Sequence, residues 1–186
     1  MRTTNRGFTL IEVLVALAIL AIAAALAYRG TAALVDGEVR LTAEATRWRT
    51  LDTVFTRLEA DLRQAQPRPI RVGAAQEPAW LAATEAHGSS AIVFSRAGPE
   101  FDADPGTAGQ RVAYRVREGA LEVVYWPGLD RAPETRETAW TLMRGVARLR
   151  IDHLGTDGGW RDTWPHSGEA ALPRAVRIVL ALDSGE

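Results

Sequence analysis

Residues 6–28 read RGFTLIEVLVALAILAIAAALAY, and the fold turns on this stretch. From Phe8 to Tyr28 there are 21 residues, of which only Glu12 is charged. At a rise of about 1.5 Å per residue, a helix of this length reaches roughly 31 Å, close to the hydrocarbon thickness of a bilayer. The flank before it, Met1–Gly7, is short, polar and positive through Arg2 and Arg6. That charge favours a cytoplasmic N-terminus, although Arg29 on the far side weakens the asymmetry. The bulk of the chain then lies across the membrane.

Three ordinary readings compete for this segment. A cleaved secretory signal would supply the positive start, the apolar run and the small residues Ala23-Ala24-Ala25. Glu12 argues against it, because an acid inside such a run costs on the order of 2.5 to 3.5 kcal/mol at bilayer depth. The run is also long for a signal. A plain membrane anchor leaves Glu12 and the abrupt Gly7/Phe8 boundary unexplained. A buried core helix is disfavoured by the near absence of polar residues on any face.

The run Arg6-Gly7-Phe8-Thr9-Leu10-Ile11-Glu12-Val13-Leu14 resembles the class III signal of type IV pilins and pseudopilins. The resemblance implies that a prepilin peptidase cuts after Gly7 and methylates the new N-terminus at Phe8, and that Glu12 serves assembly. Physical chemistry points the same way. A carboxylate in an apolar region needs a cationic partner, and the amine freed at Phe8 of a neighbouring subunit would supply one.

Beyond the membrane the helical pattern continues. No proline occurs from Tyr28 to Ala65, and Leu34, Leu41, Trp48, Phe55 and Leu62 recur every seven residues with Leu51, Leu58 and Ala65 interleaved. The stripe packs on the chain's own sheet or forms a seam with a partner helix, and the two uses can hold at different depths. Leu34, Leu41 and Trp48 are the partner-binding candidates. Leu51, Phe55, Leu58 and Leu62 are expected to be buried. Arg57 with Asp61 and Glu59 with Arg63 are i, i+4 pairs expected on the other faces. Gly30 and Gly37 are candidate flex points, and Pro67 and Pro69 end the helix.

Strands account for the remainder. Ala91–Phe94 is a short apolar run. Val112, Tyr114 and Val116 alternate, Glu118-Gly119 turns the chain, and Leu121, Val123 and Tyr125 alternate again as a hairpin. Further strands are expected over 146–154 and 175–182, with loops at 66–89, 97–110, 127–142 and 155–173. The expected fold class is therefore α+β, a pilin-like fold with a long N-terminal helix packed on an antiparallel sheet head. Residues 1–7 form the leader, 8–28 the transmembrane helix, 29–65 its amphipathic continuation and 66–186 the head.

Composition narrows the function. The chain has 186 residues with 22 basic against 23 acidic side chains, for a net charge of -1. That balance disfavours nucleic acid as a partner. All 22 basic residues are arginine, which excludes lysine chemistry, and the absence of cysteine excludes disulfides, zinc ribbons and thiol nucleophiles. His87, His153 and His166 are the histidines, and none stands in an H-E-x-x-H motif. His153 alternates with Leu149 and Ile151 and reads as a satisfied core or edge histidine. Glu100, Asp102 and Asp104 could suggest a calcium loop, but Pro105 and Arg111 occupy positions where such a loop needs Gly and an acid. Trp160 and Trp164 read as loop tryptophans packed over a sheet, with a ligand platform as the alternative. No catalytic residue, metal site or cofactor is expected.

A narrower resemblance covers nearly the whole chain. Tyr28-Arg29-Gly30, Leu58-Glu59-Ala60-Asp61-Leu62-Arg63-Gln64, Trp126-Pro127-Gly128-Leu129-Asp130-Arg131-Ala132 and Leu172-Pro173-Arg174-Ala175-Val176 are similar to the J-type minor pseudopilins of type II secretion. The resemblance implies a structural part of the inner membrane and periplasm rather than an enzyme. Its implied partners are the prepilin peptidase and the I-type and K-type minor pseudopilins, with the H-type and major pseudopilins as further candidates. Together the J-, I- and K-type subunits would form a tip complex that primes a short fibre and helps export folded proteins through the secretin. A minor pilin of a type IV pilus or competence system is the alternative in the same class. A secreted β-domain binder or hydrolase is the alternative in another.

Overall fold

A computed structural model describes residues 9–85, 88–98, 109–167, 169 and 171–183. One helix, α1, spans Leu10–Arg63. Its residues up to Arg49 form one compact unit, and those from Thr50 onward belong to a second with all the strands. In the first unit α1 runs through Gly30 and Gly37 without a break, and a Cβ at either position would meet nothing within 4 Å. Those glycines are not demanded by packing within the chain.

The second unit is built on antiparallel sheets. Strands β3 (Trp80–Thr84), β4 (Ser90–Arg96), β5 (Gln110–Arg117), β6 (Ala120–Trp126) and β7 (Thr138–Arg144) form a five-stranded meander in that order. Strands β8 (Val146–Leu154), β9 (Trp160–Arg161) and β10 (Ala175–Leu182) form a second sheet in the order β10-β8-β9. A small ribbon joins β1 (Ile70–Val72) to β2 (Ala75–Glu77). The β5–β6 hairpin closes where expected, with Glu118 at φ 51° and Gly119 at φ 70°. Two left-handed residues in succession match the twist of a two-residue hairpin loop.

Register explains the core. Trp80, Phe94, Val112 and Tyr125 lie opposite one another across β3 to β6, and Ala82, Ile92, Tyr114 and Val123 form the next row. Opposed residues share a face, so both rows turn inward together. They meet Val54 and Leu58 of α1 and Leu149 and Ile151 of β8 in one buried cluster. Trp80 stacks on Phe94 with ring centroids 4.9 Å apart.

Several sequence expectations shift here. The buried stripe of α1 is Val54, Leu58 and Asp61: Leu58 is buried as expected, while Val54 and Asp61 take the places expected of Phe55 and Leu62. Phe55 is 40% exposed, while Leu51 and Leu62 are half-buried. At about 100° per residue Phe55 stands roughly 100° around the helix from Val54, off the buried line, and the drift of about 20° per heptad turns the series back toward it at Leu62. Asp61, expected on a solvent-facing side, is 2% exposed. The expected loop at 66–89 contains β1, β2 and β3, that at 127–142 contains part of β7, and that at 155–173 contains β9. The strands at 146–154 and 175–182 stand as expected.

Candidate functional site

The first feature lies at the start of α1. Thr9 donates its backbone N–H and its hydroxyl to Glu12 Oε2, each at 2.9 Å, and Glu12 N–H reaches back to Thr9 Oγ1 at 3.3 Å. This reciprocal capping box satisfies donors that begin a helix and have no intrahelical partner. The carboxylate is thereby hydrogen-bonded, yet both donors are neutral and no cation among the described residues is paired with it. Gly7 and Phe8 lie outside the described residues. The apolar stretch that follows Glu12 is exposed throughout, and it is long enough and apolar enough to cross a membrane.

The same helix then presents Leu34, Leu41 and Trp48, at 76%, 69% and 64% exposure. None is packed within its own unit. Leu34, Gly37, Leu41 and Ala45 line a shallow surface along one face.

From Thr50 onward the helix is used differently. Asp61 receives Arg96 Nη1 and the hydroxyl of Tyr114, and Arg57 Nε stands 3.9 Å from its Oδ2. Arg96 Nη2 also donates to Gln110 Oε1 at 2.9 Å, and Arg57 donates to the hydroxyl of Tyr125. β4 and β5 bring Arg96 and Gln110 into register on the inner face, beyond Phe94 and Val112. Burial and the Asp61 charge raise the Tyr114 phenol far above its usual range, so it is a proton donor at every physiological pH. Burial likewise pushes the Tyr125 phenol up to about 12. The network ties helix to sheet. Its members are separated by up to 68 residues in sequence, so no local motif marks them.

The remaining candidates are structural. His153 is fully buried between Trp80 and Trp164, with ring centroids 5.8 and 6.1 Å away. Its Nδ1 lies 3.3 Å from the Arg161 carbonyl, which only accepts, so Nδ1 carries the proton of the neutral ring. Burial lowers its pKa from 6.5. Trp164 is buried and bridges to Ala82, whereas Trp160 is 42% exposed under the Arg177 guanidinium at 4.2 Å. In the 127–132 region, Leu129 is buried, Asp130 accepts the Arg71 N–H at 2.8 Å and Arg131 covers the Trp126 ring at 4.6 Å. Gly109 closes that corner, because a Cβ there would sit 2.8 Å from both the Arg96 carbonyl and Leu129 Cδ1. Glu100, Asp102, Asp104 and His87 lie outside the described residues, and His166 is exposed. Among the described residues no three acidic or histidine side chains gather as metal ligands.

Two family models match the chain on either side of Tyr28/Arg29. The family described as type II secretion system (T2SS), protein J matches residues 29–186, and the prokaryotic N-terminal methylation motif matches residues 2–28. Type II secretion system protein J of Escherichia coli is 31% identical over 186 residues, covering 97% of this chain and 91% of that protein. The protein of the same name from Vibrio cholerae serotype O1 is 32% identical, covering 100% of this chain and 86% of that protein. A chain in the crystal structure of the GspK-GspI-GspJ complex from enterotoxigenic Escherichia coli is similar in fold, with a TM-score of 0.61 and 29% identity, over 74% of this chain and 90% of that one. An exposed apolar helix, a capped acid at its start and a β head thus coincide with one family. The chain belongs to the type II secretion system protein J family and is a minor pseudopilin of that system.

Proposed function

We propose that this chain is a subunit of the pseudopilus tip, held in the inner membrane by residues 8–28 with its N-terminus cytoplasmic and its head, residues 66–186, in the periplasm. Residues 1–7 are removed by prepilin peptidase after Gly7, and Phe8 becomes the methylated N-terminus. The chain joins I-type and K-type siblings, primes the fibre and helps folded proteins pass the secretin. It works by binding and not by catalysis. The structure of the GspK-GspI-GspJ complex supports those partners, since one of its chains shares the fold.

Glu12 carries the assembly step. Its carboxylate lies about four residues, or roughly 6 Å, inside the apolar segment. Thr9 supplies hydrogen bonds there but no charge, so the amine of an incoming Phe8 would offset the cost of keeping it ionised. Leu34, Leu41 and Trp48, uncovered within their own unit, form the seam for a partner helix. The single observation that carries this reading is the Gly7/Phe8 boundary followed by an exposed apolar helix bearing one acid. Mass spectrometry of the mature chain tests it. N-methyl-Phe8 is expected, with 20 arginines left against 23 acids; an N-terminus near Ala25 or Ala27 would instead mean signal-peptide cleavage.

A further inference from the structure

The second sheet ends in β10, whose outer edge is unpaired among the described residues. The other edges differ from it. At β3, Trp164 exchanges hydrogen bonds with Ala82 at 2.8 and 3.0 Å and so occupies the edge. β7 is exposed on both faces from Thr138 to Thr141, and its pairing with β6 slips at Leu121/Glu122. β10 keeps a strict alternation of exposed and half-buried residues over all eight positions, and its register with β8 is unbroken from Ala175 to Ala181. It carries no proline, and its only charge is Arg177. A long, regular and largely apolar edge without such guards is the kind to which another strand adds.

The two sides of that edge differ in chemistry. On the inner side, Val176 and Ile178 join Phe55, Leu58, Leu62 and Trp80 around an open groove of about 460 Å³. On the outer side stand Arg148 and Arg150 of β8 and Arg177 of β10, all exposed, with Arg150 opposite Val179 and Arg177 opposite Asp152. The one acid in those rows, Asp152, is buried and pairs with Arg150 at 3.1 Å. Asp162 lines the same surface pocket as Arg150, Asp152 and Arg177, so Arg148, Arg150 and Arg177 stand against two acids and the face keeps a small positive surplus on a chain whose net charge is -1.

We propose that the free edge of β10 accepts an extended segment of a partner protein as an added strand, with apolar residues at alternate positions and acidic residues between them. The partner's main chain would pair with the outward amides and carbonyls of β10. Its apolar side chains would enter the groove, and its acidic ones would meet Arg148, Arg150 and Arg177. Charge complementarity selects an acidic strand over a basic one. This goes beyond the assembly role above, which rests on Glu12 and on α1.

The test uses the full chain in detergent micelles with the peptide acetyl-VDVEIDV-amide in excess and its counterpart acetyl-VKVKIKV-amide. Amide exchange should slow at alternate positions within 175–182 on adding the acidic peptide. Binding of that peptide should be about 5- to 10-fold tighter than of the lysine one, the sum expected for two or three cross-strand ion pairs. Arg150→Glu with Arg177→Glu should reverse the preference, and the exposed Arg148→Glu alone should weaken it if the double variant does not fold. Equal binding of both peptides, or protection of β7 in place of β10, would overturn the proposal. Protection of β10 that rises with chain concentration and no peptide would also overturn it, and would assign the edge to a second copy.

Discussion

Glu12 and Asp61 are carboxylates on the same helix, and they are satisfied in opposite ways. Asp61 is buried, and the chain brings it two guanidinium groups and a phenol, from Arg96, Arg57 and Tyr114. Glu12 stands on an exposed turn, and among the described residues its carboxylate receives the amide and hydroxyl of Thr9 and no cation. An acid whose cations come from its own chain belongs to the fold. An acid given hydrogen bonds but no cation among the described residues, at the edge of an apolar segment, is where the proposed assembly role places the amine of another subunit.

The most severe way to break this contrast is Asp61→Ala. It leaves Arg96 buried without its counter-charge, which costs about 3 to 5 kcal/mol, to be read from urea unfolding of the head. A loss below about 1 kcal/mol would mean that water reaches Arg96 and that the pair is a surface pair. Phe55→Ala ranks next. Because Phe55 is 40% exposed at the rim of the groove, about 1 to 2 kcal/mol is expected and not the 3 to 5 of a fully buried phenylalanine.

Acid should act on the head through His153. Burial holds its pKa below 6.5, so the unfolded chain takes up the proton first. Its contribution is intact above about pH 6.5, and stability falls as pH drops below that value, by at most about 1.4 kcal/mol per pH unit for one proton. The hydrogen bond to the Arg161 carbonyl, and then Asp152 and Asp162, oppose the shift and make the slope shallower. Thermal melts at pH 7.5 and 5.5, repeated with His153→Phe, check this: the variant should lose part of the pH dependence. An unchanged slope would place the sensitivity elsewhere.

The pattern of what sequence disclosed follows from how local each signal is. The apolar segment, its single acid Glu12, the Glu118-Gly119 turn and the alternating strands 146–154 and 175–182 are all written in neighbouring residues, whereas the cap that Thr9 gives Glu12 was not read from them. The strand at Trp80–Thr84 was hidden because its two central alanines have little β preference, and it forms by pairing with β4. Asp61 was hidden for a related reason. In a hydrophobic pattern it looks like a gap in the stripe, and its burial depends on Arg96 and Tyr114, 35 and 53 residues away. Leu34, Leu41 and Trp48 followed the same seven-residue rhythm as Leu62, so periodicity identified the face without saying what covers it.

Glu12→Gln separates the two carboxylates most directly. It keeps shape and removes charge, so the melting temperature of the head and processing at Gly7 should match wild type. Co-purification of the I-type and K-type siblings from membranes, measured on the same preparation with secretion assayed in the same strain, should fall sharply. Asp61→Asn should do the reverse, lowering the melting temperature first and losing siblings only as the head unfolds. Wild-type recovery of siblings and wild-type secretion by Glu12→Gln would contradict the account and move recruitment to the head.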